Sequence, residues 1–270
     1  MLKSVSLETG LKLKIPDPSS IVFQNQKCLL DMFNIKCDYL DRHDLQSIRY
    51  VFSEPDHTHF WPQVFNTQDN TDFYGFFQNY NYFKKYEKEV VEDLSFNDEL
   101  QEFASDYVNS LKKNNEQIVS LHFRRGDNTD GTGGIVQDYY GRDNKYEEDS
   151  VFGKYCELAM KHYDGKNVKF LVFSGGSRSG MNHNQGDIDW CKQNLKGDNF
   201  LFSEGNSDIQ DFAIMTNCDH NVVSHSTSFG YWASILNKNP NKIIIAPKNY
   251  TIPDDGRAQR GFYPEHWIKF

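Results

Sequence analysis

No run of about eighteen consecutive apolar residues occurs in this chain, so it encodes no membrane-spanning helix. Its first residues, Met1-Leu2-Lys3-Ser4-Val5-Ser6, lack the apolar stretch of a secretory leader. There is no Gly-x-x-x-x-Gly-Lys loop, which argues against a P-loop NTPase. There is also no Asp-x-Asp triplet in a suitable loop, so a metal-held diphosphate has no support. Positive charge is scarce: 29 Lys and Arg stand against 38 Asp and Glu, a formal net charge of −9. A nucleic-acid partner is thereby disfavoured, because binding a phosphate backbone needs a basic face. A small anionic ligand is not excluded, since two or three local cations suffice to hold one. The five cysteines, Cys28, Cys37, Cys156, Cys191 and Cys218, form no Cys-x-x-Cys pair and have no histidine at metal-site spacing. They read as mostly buried thiols rather than a disulfide scaffold. Internal repeats and low-complexity tracts are absent, and the single sequon, Asn249-Tyr250-Thr251, is no more than chance supplies.

What is present is a globular composition: 270 residues, 38% hydrophobic and 25% charged, enough for one large or two small domains. Aromatics at 15% suit a sugar-handling protein, although Tyr and Phe filling cores account for most of them. The composition changes near residue 115, which suggests an N-terminal part over 1–115 and a second domain over 116–270. Residues 57–83 carry many aromatics in a polar background and read as surface loops and short helices around a groove, rather than a continuous sheet. From about residue 97 the periodicity is regular. Leu100, Phe103, Tyr107 and Leu111 mark an amphipathic helix. Strands are predicted at Ile118 to Phe123, Val168 to Phe173, Asn199 to Phe202, Val222 to Ser224 and, last, Lys242 to Ala246. Helices are predicted at Val151 to His162, Asp187 to Leu195, Ile209 to Asn217 and Phe229 to Leu236. Alternation of this kind specifies a parallel α/β sheet with helices on both faces. Ligands of such sheets sit beyond the carboxyl ends of the strands.

Chemistry is therefore sought after each strand. The first ends in His122-Phe123-Arg124-Arg125-Gly126-Asp127. Period two puts Val119, Leu121 and Phe123 on one face and Ser120, His122 and Arg124 on the other. A polar column rising to the end of a central strand is unusual, since such strands are apolar on both faces. Two arginines offer a permanently charged fork for phosphate oxygens. Asp127 is suited to orienting an arginine or meeting a ligand hydroxyl. A plain surface ion pair is the competing reading, and the Arg125-Gly126-Asp127 adhesion tripeptide a remote one. The strand near Val222 leads to Ser224-His225-Ser226-Thr227-Ser228-Phe229-Gly230, a hydroxyl-rich approach to a helix with Ser228 as expected N-cap. Such a helix start attracts phosphate, or serves capping alone. Asp208 and Asp211 flank another helix start; either suits a guanine edge, or the helix dipole. Trp190 and Trp232 read as core.

These residues resemble the α-1,2-fucosyltransferase family. Residues 122–127 match its H-x-R-R-G-D motif, Asp189-Trp190-Cys191-Lys192 its W-C-K segment, and Asp211-Phe212 through His220 its D-F-x-x-x-T-x-C-x-H block. Ser228-Phe229-Gly230-Tyr231-Trp232-Ala233 is similar to its T-F-G-F-W-A segment. Phe73-Tyr74-Gly75-Phe76-Phe77-Gln78 with Tyr82-Phe83 is similar to G-Y-x-Q…Y-F. The resemblance implies a GT-B-like fold with a C-terminal Rossmann-like sheet, GDP-fucose as donor substrate rather than any cofactor, a galactose-terminated acceptor, inversion, and no metal. It implies that Arg124 and Arg125 hold the diphosphate with His122 nearby, that Ser226, Thr227, Ser228 and Phe229 line the phosphate and ribose end, and that Asp211 meets guanine. His122 and Asp127 are both left as candidates for the base. The family implies a Golgi location, with membrane association only through a segment not in this sequence. The family's opening G-x-G-N-Q segment is missing, so the first domain reads as N-terminally truncated, with Met1 to Gly10 as the helix that should follow it. Residues 174–186 read as a Ser/Gly/Asn-rich insertion. Arg125→Ala is expected to lower transfer about a hundredfold without unfolding the protein. The rival reading is an inactive remnant that only binds sugar or nucleotide.

Overall fold

The computed structural model describes residues 1–17, 22–23, 26–27, 29–126, 129, 139–140, 146–175 and 184–270. Asp127, Cys28 and most of the 174–186 insertion lie outside them. The chain divides into two units, Met1–Asn97 with Asp255–Glu265, and Asp98–Asp254 with His266–Phe270.

The first unit opens with α1 (Leu2–Thr9), closed by Gly10 at φ 74, which donates its N–H to the Ser6 carbonyl. That left-handed stop is what glycine supplies at a helix end. β1 (Lys14–Ile15), β2 (Val22–Phe23), β3 (Gln26–Lys27) and β4 (Asp38–Tyr39) are short; β1 pairs with β4 in parallel and β2 with β3 antiparallel. α2 (Arg42–Ser47) begins on a reciprocal cap between Asp41 and Asp44. β5 (Tyr50–Ser53) pairs in parallel with β6 (Thr71–Tyr74). Within 57–83 the four-residue β6 stands among short 3-10 helices, Pro62–Asn66 and Tyr80–Tyr82, and loops, so no continuous sheet forms there. The Phe52 and Phe73 rings, partners in the register, lie 5.9 Å apart and give the pair its apolar contact.

The Phe73–Phe83 block is anchored by Glu54. Glu54 Oε2 accepts the N–H of Phe76 at 2.8 Å and of Phe77 at 2.9 Å, while the Tyr82 hydroxyl donates to its Oε1 at 3.2 Å. A Cβ on Gly75 would stand 2.4 Å from the Glu54 Cβ, so only glycine fits. Buried Tyr82 meets Phe60 at 5.0 Å and Phe77 at 5.6 Å. Residues from near the C-terminus complete this unit: Arg257 Nη1 donates to Gln78 Oε1 at 3.1 Å, and Asn79 Nδ2 donates to the Arg260 carbonyl at 2.8 Å. α3 (Glu87–Asp93) ends the N-terminal segment.

The second unit begins with α4 (Asp98–Leu111). Its fully buried residues are Ala104 and Val108, flanked by the half-buried Phe103 and Tyr107 of the predicted stripe. There follow β7 (Gln117–Arg124), α5 (Val151–Lys161), β8 (Val168–Gly175), α6 (Asn184–Asn194), β9 (Phe200–Phe202), α7 (Asp208–Asn217), β10 (His220–Val222), α8 (Ser228–Leu236), β11 (Ile244–Ala246) and β12 (Ile268–Lys269). The described residues form a six-stranded sheet in the order β12-β11-β10-β7-β8-β9, every pair parallel. The α/β expectation holds. Two details differ: β10 ends two residues before Ser224, and β12, too short to leave a periodic signal, follows the strand read as last.

β7 is central, and Ile118 to Phe123 are buried along it. Val119, Leu121 and Phe123 enter an apolar cluster with Phe152, Tyr155, Cys156 and Ala159 of α5 and Cys191 of α6. Phe123 meets Phe152 at 4.6 Å and Tyr140 at 6.1 Å. The opposite face is polar, and at Ser120 it is hydrogen-bonded: Asn221 Nδ2 donates to Ser120 Oγ at 2.7 Å, and Asn237 Nδ2 donates to Asn221 Oδ1 at 2.8 Å. Of the described cysteines Cys156, Cys191 and Cys218 are buried and Cys37 is half-buried, and burial raises the thiols of Cys156 and Cys218 above the ordinary range.

Candidate nucleotide site at the reversal of strand order

From β7 the chain adds β8 and β9 on one side, then returns to lay β10, β11 and β12 on the other. The reversal falls between β7 and β10. Since all strands are parallel, their carboxyl ends share one edge, and a crevice opens where the connections diverge. Val222 lies opposite Leu121, so the turn after Arg124 and the segment 223–227 leave the sheet side by side.

His122 is buried, with its ring 5.8 Å from that of Phe229. Its Nδ1 has no hydrogen-bond partner among the described residues. A Cβ on Gly230 would come within 3.0 Å of this nitrogen, so the glycine is what lets the start of α8 approach the strand. Burial, then the charge of Arg124, lowers the His122 pKa to about 3, and the ring is neutral at physiological pH. The Ser224 hydroxyl donates to the His122 carbonyl and ties the two strand ends together.

The two arginines diverge. Arg124 is half-buried; its Nη1 donates to the Arg125 carbonyl at 3.2 Å and the Gly175 carbonyl at 3.4 Å. Arg125 is 3% exposed. Its Nε donates to Asp187 Oδ1 at 3.2 Å, and its guanidinium lies 3.7 Å from the Trp190 ring centre and 5.3 Å from that of Tyr140. The expected fork is thus one half-exposed arginine plus one arginine turned into the protein. Removing Arg125 would take a charged partner from a buried carboxylate, so Arg125→Ala is expected to lower stability as well as activity.

On the β10 side the N-cap of α8 is Thr227, not Ser228: the Gly230 N–H donates to Thr227 Oγ1 at 3.4 Å. Ser228 is instead the first helical residue and is exposed. Ser226 adopts φ 50, uncommon for a residue with a side chain, and donates its N–H to the Tyr250 carbonyl at 2.8 Å. His225, behind this turn, is hydrogen-bonded through Nδ1 to the Tyr139 hydroxyl at 2.7 Å, and burial lowers its pKa to about 4.

Asp211 follows β9 on α7, and the Ser203 hydroxyl donates to its Oδ1 at 2.6 Å. Burial raises its pKa to about 6, against the opposing effect of hydrogen bonds from Ser203 and Asn206. The neighbouring Phe212 ring lies 5.1 Å from Phe229, which connects α7 to the His122 wall. His122, Arg124, Thr227, Ser228 and Phe229 therefore gather at the reversal, Asp211 lies one residue from its edge, and Arg125 supports it from behind. Asp187 was missed by sequence reasoning. The available signal was its spacing of three residues from Trp190 in a predicted helix, which puts acid and indole on one face.

Among the described residues no group of three or more His, Cys, Asp or Glu is arranged to hold a metal ion, and no helix is long and apolar enough to cross a membrane. The family model of Glycosyl transferase family 11 matches residues 17–270. Galactoside alpha-(1,2)-fucosyltransferase 2 of Sus scrofa is 26% identical over 193 residues, which is 67% of this chain and 50% of that protein. The Rattus norvegicus protein of the same name is 26% identical over 209 residues, 73% of this chain and 52% of its own. The chain thus spans about half the length of the curated relatives it matches. Among solved structures, POFUT1 in complex with GDP aligns with a TM-score of 0.41 and 12% identity over 68% of this chain and 56% of that one. The POFUT1 apo-form aligns with a TM-score of 0.45 and 10% identity over 91% of each.

Proposed function

Because this chain belongs to glycosyl transferase family 11, we propose that it transfers L-fucose from GDP-fucose to a galactoside hydroxyl in α-1,2 linkage, with inversion and without a metal. The acceptor class and linkage come from its relatives, named galactoside alpha-(1,2)-fucosyltransferases. The observation that carries the reading is the convergence of Arg124 and the Thr227–Ser228 helix start at the reversal of strand order. One cation and one set of helix-terminal amides suit a pair of linked phosphates.

In the proposed reaction the acceptor oxygen attacks C1 of fucose, the bond from C1 to the β-phosphate oxygen breaks, and GDP departs with the electron pair. A single displacement inverts C1. Negative charge grows on the β-phosphate in the transition state, and there Arg124 and the start of α8 act; stabilisation of developing charge is usually the largest single contribution. The acceptor proton goes to a base. A ring held at a pKa of about 3 accepts protons poorly at neutral pH, so His122 is assigned to the wall of the site rather than to that role.

Asp211 is assigned to the guanine edge, where an ionised carboxylate accepts N–H donors. Its pKa is raised to about 6 in the free protein, and binding favours the ionised form. GDP affinity should accordingly fall as pH drops through about 6, with Asp211→Asn weaker at neutral pH and showing a shallower pH dependence than wild type, the remainder being the titration of the terminal phosphate of GDP itself. Calorimetric titration at several pH values checks this; a wild-type affinity independent of pH between 5 and 7 would remove Asp211 from the guanine site.

The principal experiment is turnover of labelled GDP-fucose on a panel of galactoside acceptors with linkage analysis, run beside GDP calorimetry. Fucosylated product in α-1,2 linkage supports the proposal, and GDP binding without turnover on any acceptor overturns it in favour of a non-catalytic nucleotide-binding protein. Saturating EDTA is expected to leave the rate within about twofold; a larger loss restored by a divalent cation would refute metal independence. A Golgi location is proposed on family likeness, and imaging of the native protein elsewhere would refute it.

A further inference from the structure

We infer that Asp187 is a positioning residue, a carboxylate clamp that sets the turn carrying Arg124, and that Arg125 serves in the clamp rather than as a phosphate ligand. This rests on the transferase reading above. The two Asp187 oxygens go to consecutive residues of the turn: Oδ1 accepts from Arg125 Nε at 3.2 Å and Oδ2 from the Gly126 N–H at 3.3 Å. One group therefore fixes a side chain and a backbone amide together, at a glycine whose φ is 53. Trp190, one helical turn beyond Asp187 on α6, supplies the flat face under the guanidinium at 3.7 Å. Asp187 and Arg125 are 2% and 3% exposed, so neither charge is screened by solvent.

The turn so held positions Arg124. The Arg125 carbonyl, fixed by the clamp, accepts from Arg124 Nη1, as does the Gly175 carbonyl at the end of β8. The sequence of constraint runs from α6 through the turn to the exposed guanidinium. A buried ion pair is weak support for stability, because apolar residues of the same volume usually do as well. Its directional bonds to one particular turn are what an apolar pair cannot reproduce.

The test compares wild type, Asp187→Asn, Arg124→Ala, their combination, and the neutral pair Asp187→Asn/Arg125→Met in the full chain. Melting temperature, GDP Kd by calorimetry, and KM and kcat for GDP-fucose are measured for each. Asp187→Asn is expected to weaken GDP at least about tenfold and to raise KM for GDP-fucose while leaving the acceptor KM unchanged. In the Arg124→Ala background it should add less than about twofold, since both changes remove one interaction. The neutral pair should recover the melting temperature without recovering GDP affinity. Should Asp187→Asn fail to fold, the neutral pair alone decides. A neutral pair that binds GDP as wild type does overturns the clamp, as do additive effects of Asp187→Asn and Arg124→Ala. A wild-type chain that neither binds GDP nor transfers fucose instead overturns the transferase reading, which distinguishes the two failures.

Discussion

Arg124→Ala is expected to lower fucose transfer at least about a hundredfold, equivalent to about 3 kcal/mol of transition-state stabilisation, while shifting the melting temperature by no more than about 3 °C. The asymmetry follows from position. Arg124 closes β7 at the carboxyl edge of the sheet, half-buried, with its Nη1 on two backbone carbonyls, and it is not a member of the apolar cluster around Phe123. Its charge is the one the turn presents beside the start of α8. Labelled GDP-fucose turnover and thermal unfolding of the same preparation check the two halves. A rate within about threefold of wild type would refute the assignment, and so would a loss of rate matched by a loss of folded protein.

Arg125→Ala should give the opposite pattern: destabilisation of about 3–5 kcal/mol, a fall in melting temperature on the order of 10 °C, and activity lost with the fold. The guanidinium and its partner Asp187 are both 3% exposed at the side chain. Removing the cation leaves an anion in the interior without its compensating charge, and also uncovers the faces of Trp190 and Tyr140. Lys at this position keeps the charge but not the planar stacking, and should recover only part of the loss. Chemical denaturation of Arg125→Ala, Arg125→Lys and wild type supplies the comparison. An Arg125→Ala protein as stable as wild type would mean that the buried pair contributes nothing to folding.

The contrast between adjacent arginines marks how far the residues could be read unaided. Parallel strands and their helices were legible because burial on both sides imposes continuous apolar runs, as in Val168 to Phe173, and amphipathic stripes between them. The polar column Ser120, His122, Arg124 was legible from a period of two. The same alternation puts Arg125 on the face of Leu121 and Phe123, beneath α6, but a charged pair reads as one functional unit until its partner is known. Asp187 is separated from Arg125 by 62 positions, and no local pattern announces that contact. The cap of α8 moved by one residue because Thr227 and Ser228 are chemically equivalent as caps, and backbone direction decides between them. β5 and β6 were hidden among aromatics that suit loops and strands equally, and β12 has only two residues. Asp127 falls outside the described residues, so its part in the chemistry is carried by the sequence alone.

Gln78 and Asn79 draw their partners from Arg257 and Arg260, almost two hundred residues downstream. A ribosome emits Met1–Asn97 well before Asp255–Glu265, so that unit stays incomplete until most of the other has been made. The parallel sheet in turn lacks β12 until Ile268–Lys269 has followed that segment. Each half therefore waits on the other, and a polypeptide interrupted after Asp254 would lack parts of both.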